Sequence, residues 1–287
     1  MLDVLHVSKS INNKLVINDC SFQTKSNSIM GIVGINGVGK TTLLRLCSGV
    51  LRPDEGTILL GTETIYDNIE AKKDIVFISD TPYFELDSTI SSVINFYSAF
   101  YTIDMNYFNY LLDLFELNKK DKLYNLSKGT LKRFYLVLGL AISPRLLLLD
   151  ETFDGVDPIC KRLFKTELKK LVGVKDTSVV LTSHSLRELA DICEQIGYLE
   201  KGKLITLNDK TYLKDPIYQV IVFKKEDVTY NLDNLYVLKK TETKNVLIID
   251  CYNDIDKIKY VFKEAKYLEI KEVSFDNWIV YQMEVLR

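Results

Sequence analysis

Neither charge, nor paired cysteines, nor a membrane-length apolar run marks this sequence, and each absence removes a class of function. Its 287 residues carry 37 Lys and Arg against 39 Asp and Glu, a formal net charge of −2, so no general positive field is available to gather nucleic acid or an anionic bilayer. The five cysteines, Cys20, Cys47, Cys160, Cys193 and Cys251, are odd in number, scattered and free of CxxC spacing. They read as reduced core thiols of a cytosolic protein rather than as a disulfide framework. A basic head followed by an apolar leader is missing, because Asp3 and His6 interrupt the first residues, and no secretory signal is expected. The longest apolar runs, Tyr135 to Ile142 and Leu146 to Leu149, are parted by Ser143-Pro144-Arg145 and fall short of the roughly 20 residues that cross a bilayer. A membrane partner would therefore be a separate chain. The length suffices for one large core, or for one core with a small satellite domain.

What is present is a glycine-rich loop in a telling position. Gly34-Ile35-Asn36-Gly37-Val38-Gly39-Lys40-Thr41-Thr42 follows the apolar run Ile29 to Val33 and precedes a helical pattern from Thr41 to Cys47. The loop thus sits between a buried strand and a helix, the setting in which such a loop wraps phosphates. Glycines let the backbone turn its N–H groups inward around an anion, and the helix start adds positive potential. The candidate cradle is Gly34, Asn36, Gly37, Val38, Gly39, Lys40, Thr41 and Thr42. Lys40 is placed to reach the β- and γ-phosphates and Thr41 to ligate Mg²⁺. Alone, this loop also occurs in unrelated nucleotide-binding enzymes.

Four further pieces follow in a fixed order. Leu126-Ser127-Lys128-Gly129-Thr130 leads an apolar helical run from Leu131 to Ile142, and Leu146 to Leu149 is an apolar strand ending in Asp150-Glu151. Then come Gly155-Val156-Asp157-Pro158 and the strand Ser178 to Ser183, which delivers His184, one of only two histidines. With the glycine loop, these resemble the Walker A, signature, Walker B, D-loop and H-loop motifs of the nucleotide-binding subunit of an ATP-binding cassette (ABC) transporter, over about Leu2 to Leu207.

The resemblance implies an α/β fold: a P-loop NTPase core with a mixed or parallel sheet and a helical subdomain, followed here by a small C-terminal α+β domain. It implies that Asp150 joins Thr41 in the Mg²⁺ shell, that Glu151 orients and deprotonates the attacking water, and that His184 contacts the γ-phosphate. Lys40, Glu151 and His184 form the implied catalytic set. Ser127 and Gly129, at the start of a helix beginning near Thr130, would face the ATP of a second subunit, identical or paired, and Asp157 would lie at that interface. Read without the resemblance, Ser127 is an ordinary helix cap, Asp150-Glu151 a strand ending in solvated acids, and His184 a satisfied strand-end histidine.

Departures from the family pattern are equally specific. Ile11 stands where an aromatic usually stacks on adenine, and it covers a ring face without π-stacking; Tyr66 is one alternative. Asp80, after Ile75 to Ile78, stands where the family has the Q-loop glutamine. It would approach Mg²⁺ or its waters while adding negative charge beside Asp150 and Glu151, which favours slower or more tightly regulated hydrolysis. Lys128 replaces a signature glycine, Thr130 a glutamine, and Thr152 the proline after the catalytic acid, a minor change.

The expected domains are residues 1–215 for the nucleotide-binding domain, with a helical subdomain at about 82–142, and 216–287 for the accessory domain. Phe96, Tyr97, Phe100, Tyr101, Tyr107, Phe108, Tyr110 and Phe115 crowd two predicted helices joined around Asp104, and most are expected in the core. In the family, the groove beside the Q-loop receives a coupling helix from the membrane subunit. Asn118 to Lys122 reads as a solvated connector. Beyond Pro216, the runs Tyr218 to Phe223, Leu235 to Leu238, Val246 to Asp250 and Tyr267 to Val273 read as strands and Asp254 to Ala265 as a helix, a ferredoxin-like pattern. Lys224-Lys225 and Lys239-Lys240 are expected in solvent. Ser274 to Tyr281 resembles the closing helix of exporter ATPases.

The resulting expectation is an ATP- and Mg²⁺-dependent ATPase subunit. It dimerises and docks on integral-membrane subunits of an exporter at the cytoplasmic face of the membrane, with no nucleic acid partner. Two rivals stand beside it. One is a soluble cassette ATPase acting on a ribosome or other macromolecule, against which count the single cassette and the short helices between the motifs. The other is a degenerate cassette that binds ATP only to regulate, favoured by Ile11 and Asp80 and opposed by Glu151 and His184.

Overall fold

The structure is a computed structural model that describes residues 1–207, 217–225, 228–252 and 254–273. The chain divides into two units, Met1–Asn208 and Asp209–Arg287. Ser274 to Tyr281, read as a closing helix, lies outside the described residues.

The first unit is built on two sheets. β1 (Leu2–Ile11) and β2 (Lys14–Gln23) form a hairpin whose turn, Asn12-Asn13, holds both residues at positive φ, 50° and 61°. That is the turn geometry matching strand twist, and asparagine tolerates it. With β4 (Glu55–Leu60) and β5 (Glu63–Thr64) the hairpin forms an antiparallel sheet of order β2-β1-β4-β5. The second sheet has the order β10-β9-β3-β8-β7-β6, from β3 (Ile29–Val33), β6 (Ile75–Ile78), β7 (Leu146–Leu149), β8 (Ser178–Ser183), β9 (Gln195–Glu200) and β10 (Lys203–Leu207). Its strands run parallel except at the β9–β10 hairpin. Every residue of β3, β7 and β8 is buried, which is why β3 and β7 carry no polar side chain.

Helix α1 (Lys40–Cys47) leaves β3 through the glycine loop. It buries Leu43, Leu44, Leu46 and Cys47 in a core shared with Leu2, Val4 and Ile17 of the first sheet and Met30, Ile32, Leu148 and Val180 of the second. This core joins the two sheets and holds α1 rigidly behind the loop. α2 (Ile69–Lys73) precedes β6.

Between β6 and β7 the chain is helical: α3 (Ile90–Ser98), α4 (Met105–Leu114) and α5 (Lys128–Ile142). Thr89, Asp104 and Ser127 cap them, each side chain accepting from a backbone N–H in the first turn. α5 starts at Lys128, two residues before the expected start, because Ser127 accepts from Thr130 N–H. The connector Asn118 to Lys122 is pinned to the start of α3 through Ile90 N–H to Asp121 O and Ser91 N–H to Lys119 O. Of the eight aromatics expected mostly in the core, only Phe108 and Phe115 are buried. Tyr97, Tyr101 and Tyr107 are half-buried, with Tyr101 and Tyr107 donating their hydroxyls to Ile75 O and the Glu167 carboxylate, while Phe96, Phe100 and Tyr110 are exposed. α6 (Pro158–Val174), capped by Asp157 with proline in its first turn, and α7 (Leu186–Ala190) complete the unit.

The second unit is an antiparallel sheet of order β12-β13-β11-β14, from β11 (Ile217–Phe223), β12 (Tyr236–Glu242), β13 (Val246–Tyr252) and β14 (Tyr267–Glu272). α8 (Ile255–Val261) packs Ile258 into a core with Val220, Val222, Leu247, Ile249 and Phe262. The strand order is that of a split βαβ fold, yet among the described residues the β11–β12 connection has no helix. Lys224 and Lys240, expected in solvent, both pair with Glu242, whose carboxyl they hold down at about 2.

Candidate active site

The glycine loop begins where β3 ends and closes at Gly39, whose φ of 116° starts α1. Gly37 is also left-handed, φ 79°. No side chain caps α1 and its first turn holds no acid, so its leading N–H groups face the loop without competition. Lys40 is 4% exposed; its ammonium donates to Gly34 O at 2.8 Å and Ile35 O at 3.2 Å and pairs with Glu151 Oε1 at 3.1 Å.

Across the sheet, the buried Asp150 carboxylate accepts from Thr41 Oγ1 and from Thr182 Oγ1, each at 2.7 Å. Thr182 also accepts from Glu151 N–H at 3.0 Å. Sequence reasoning missed this threonine, and the signal was register: Leu149 pairs with Leu181, which sets the next residues, Asp150 and Thr182, side by side. Glu151 stands in the left-handed region, φ 44°, a conformation that its surroundings must hold. Asp154, also missed, sits between Glu151 and His184. Its Oδ2 lies 3.3 Å from His184 Nδ1, and ligand atoms of Glu151, Asp154 and His184 all fall within 4.8 Å of one another. Burial raises the Asp154 pKa, with the His184 side chain opposing the shift. Thr152, in the proline position, is buried with no hydrogen-bond partner for its hydroxyl.

The Asp80 carboxylate, expected to add negative charge beside Asp150 and Glu151, is paired with a lysine. Asp80 Oδ1 lies 2.5 Å from Lys132 Nζ, a buried ammonium on α5 that also donates to Glu151 O at 3.1 Å. At the start of α5, Ser127 caps the helix and shares a 2.8 Å hydrogen bond with the Thr130 hydroxyl. Gly129 approaches the next loop so closely that a Cβ there would lie 2.6 Å from Gly155 O. Arg133 reaches Asp157 at 3.0 Å. The Asp157 carboxyl is held below its ordinary range, chiefly by the Cys160 N–H it accepts from as the cap of α6.

The structure thus gathers Lys40, Thr41, Asp150 and Glu151, with His184 joined through Asp154. Ile11 lies at the tip of the β1–β2 hairpin, 38% exposed and opposite Lys14; the neighbours of Gly39 on β2 are Val16 and Ile17. Beyond Asp80, a groove of about 460 Å³ opens between the end of β6, α3 and α5, lined by Phe77, Pro82, Tyr83, Phe96, Tyr97 and Tyr135 among others. Tyr83 and Phe96 on its rim are 89% and 64% exposed.

Among the described residues, no helix is long and apolar enough to cross a membrane. The family model described as "ABC transporter" matches residues 17–154. The ABC transporter ATP-binding protein YtrB of Bacillus subtilis is 31% identical over 230 residues, covering 79% of this chain and 78% of that one. The Nod factor export ATP-binding protein I of Rhizobium johnstonii is 29% identical over 71% of this chain and 68% of its own. A solved ATP-binding subunit of an ABC transporter superposes with a TM-score of 0.68 at 20% identity, over 75% of this chain and 92% of that one.

Proposed function

This chain belongs to the ABC transporter family and is one of its ATP-hydrolysing subunits, and from that premise we propose that it powers an exporter through the site centred on Lys40 and Glu151. The observation that carries the reading is the double contact across the sheet, Lys40 to Glu151 and Thr41 to Asp150. It puts a phosphate-binding cation, a hydroxyl, a buried carboxylate and a base beyond the ends of β3 and β7, the two parallel strands that flank β8, where α/β sheets bind ligands.

The α1 N–H groups and the Lys40 ammonium grip the triphosphate. An incoming phosphate displaces the Glu151 carboxylate from Lys40, which frees that carboxylate to accept a proton from the attacking water as the bond between the γ-phosphorus and the ADP oxygen breaks. His184, steadied by Asp154, faces the same region. Mg²⁺ fits the hard oxygen donors of Thr41 and Asp150, which would hold it, and when bound it supplies neutralising charge to the phosphates. Asp80 is left out of that shell, since Lys132 holds its carboxylate.

Ser127 and Gly129 sit at a helix start whose positive end suits the phosphates of an ATP bound to a second copy or a paired subunit. ATP would then close the dimer and hydrolysis reopen it. The apolar groove beside Asp80 is the docking place for an integral-membrane subunit, which puts the chain peripherally at the cytoplasmic face. The export relatives favour outward transport, and the net charge of −2 offers no footprint for nucleic acid. Replacing Glu151 with Gln tests the reading. ATP affinity should hold and sedimentation with ATP should show a persistent dimer, while phosphate release falls by roughly 10²–10⁴-fold. Undiminished release would remove Glu151 as the base.

A further inference from the structure

We propose that Lys132 is a positioning residue that bolts the Asp80 loop to the main chain of Glu151, so that Asp80 acts on catalysis through this bridge and not as a ligand of the metal. The inference rests on the reading of Glu151 as the base. β6 and β7 are neighbours, with Ile78 paired to Leu149 and Asp150 N–H bonded to Ile78 O. The loops carrying Asp80 and Glu151 therefore leave adjacent strand ends. The Lys132 ammonium rises between them from the second turn of α5, 2.5 Å from Asp80 Oδ1 and 3.1 Å from Glu151 O.

Two features make this more than a surface ion pair. Lys132 is 4% exposed, and a buried ammonium is tolerated only with a counter-charge and satisfied donors; Asp80 is that counter-charge. Glu151, in turn, is held at φ 44° from both sides of its backbone, its N–H by Thr182 and its carbonyl by Lys132. A side chain in this left-handed conformation points where the backbone dictates, here to Lys40. Loosening the carbonyl anchor releases the residue that carries the proton, without touching the groups that grip the phosphates.

The test is a cycle of Asp80→Asn, Lys132→Gln and the double variant in the full-length protein, read by steady-state kinetics and by Tm without added nucleotide. Each single change should lower kcat about tenfold with KM for ATP kept within about threefold. The double, an amide facing an amide, should return kcat to within about threefold of the parent and lose less Tm than the two single losses added. Lys132→Arg, which keeps the charge, should keep more turnover than Lys132→Gln and supplies the measurement should Lys132→Gln fail to fold. Single variants at parental kcat, a double no faster than the slower single, or an arginine variant no better than glutamine would each overturn the bridge. The Tm cycle does not depend on Glu151 being the base. Non-additive Tm beside undiminished hydrolysis by Glu151→Gln would locate the failure in the base assignment, and additive Tm would locate it in the bridge.

Discussion

The nucleotide cradle and the groove beside α3 lie at opposite ends of the Asp80 loop and are built on opposite principles. In the cradle, polar groups answer one another: Lys40 has two carbonyls and a carboxylate, and Asp150 has two hydroxyls. In the groove, large aromatic side chains such as Tyr83 and Phe96 stand in solvent. A cluster of exposed apolar side chains is the physical signature of an interaction site. A ligand for the cradle has to compete for its charges, whereas a partner for the groove would gain by removing its surface from water.

The contrast can be broken first at Lys40. Lys40→Ala deletes the phosphate-gripping cation and leaves Glu151 without its partner, so ATP affinity by calorimetry should fall by a factor on the order of 100 or more. Unchanged affinity would contradict the phosphate assignment. In the groove the expected effect is selective: Phe96→Asp, with its ring already exposed, should cost little Tm and leave hydrolysis by the isolated subunit within about twofold, yet weaken co-purification with the membrane subunit about tenfold or more, as for truncation of an anchor residue. Retained co-purification would detach the groove from docking.

A smaller change sharpens the cradle itself. Thr182→Val keeps the shape but removes the hydroxyl shared by Asp150 and Glu151 N–H. It should lower stability by about 1–3 kcal/mol and kcat about tenfold in denaturation and turnover assays. The smallest effect belongs to Asp154. Its pKa is raised in the fold by burial, so between the ordinary value of 3.8 and the raised one the folded state holds more protons than the unfolded, and this group's stabilisation is lost as pH rises through the raised pKa. Asp154→Asn should therefore raise Tm slightly near neutrality and not below pH 3.8, in parallel thermal melts. A uniform shift at every pH would discard this account.

What the sequence disclosed depended on how local the signal was. The glycine loop, the apolar strand ending in Asp150-Glu151 and the Ser127 cap are each written in a few neighbouring residues, and the structure places them as strand end, strand end and helix start. Lys132, Thr182 and Asp154 were invisible for the converse reason. Their partners lie up to 52 positions away in the case of Lys132 and Asp80, and only strand register and the placement of α5 bring them close. The aromatics of α3 and α4 misled because helical spacing marks a face but does not say whether the protein's own core covers it. In the second unit the strands were legible from alternation, and β12 runs farther than its apolar stretch, to Glu242, because cross-strand pairing with β13 extends it past Leu238.

The approach of Gly129 to Gly155 has a consequence for interpreting lesions. With a Cβ at 129 held 2.6 Å from a carbonyl oxygen, one added methyl forces α5 and the segment from Glu151 to Asp157 apart inside a single polypeptide. A defect at this glycine, which the dimer reading would assign to failed recognition between subunits, would already be present in an isolated protomer as a misplaced acid. The diagnosis then turns on whether mixing with an intact partner repairs anything.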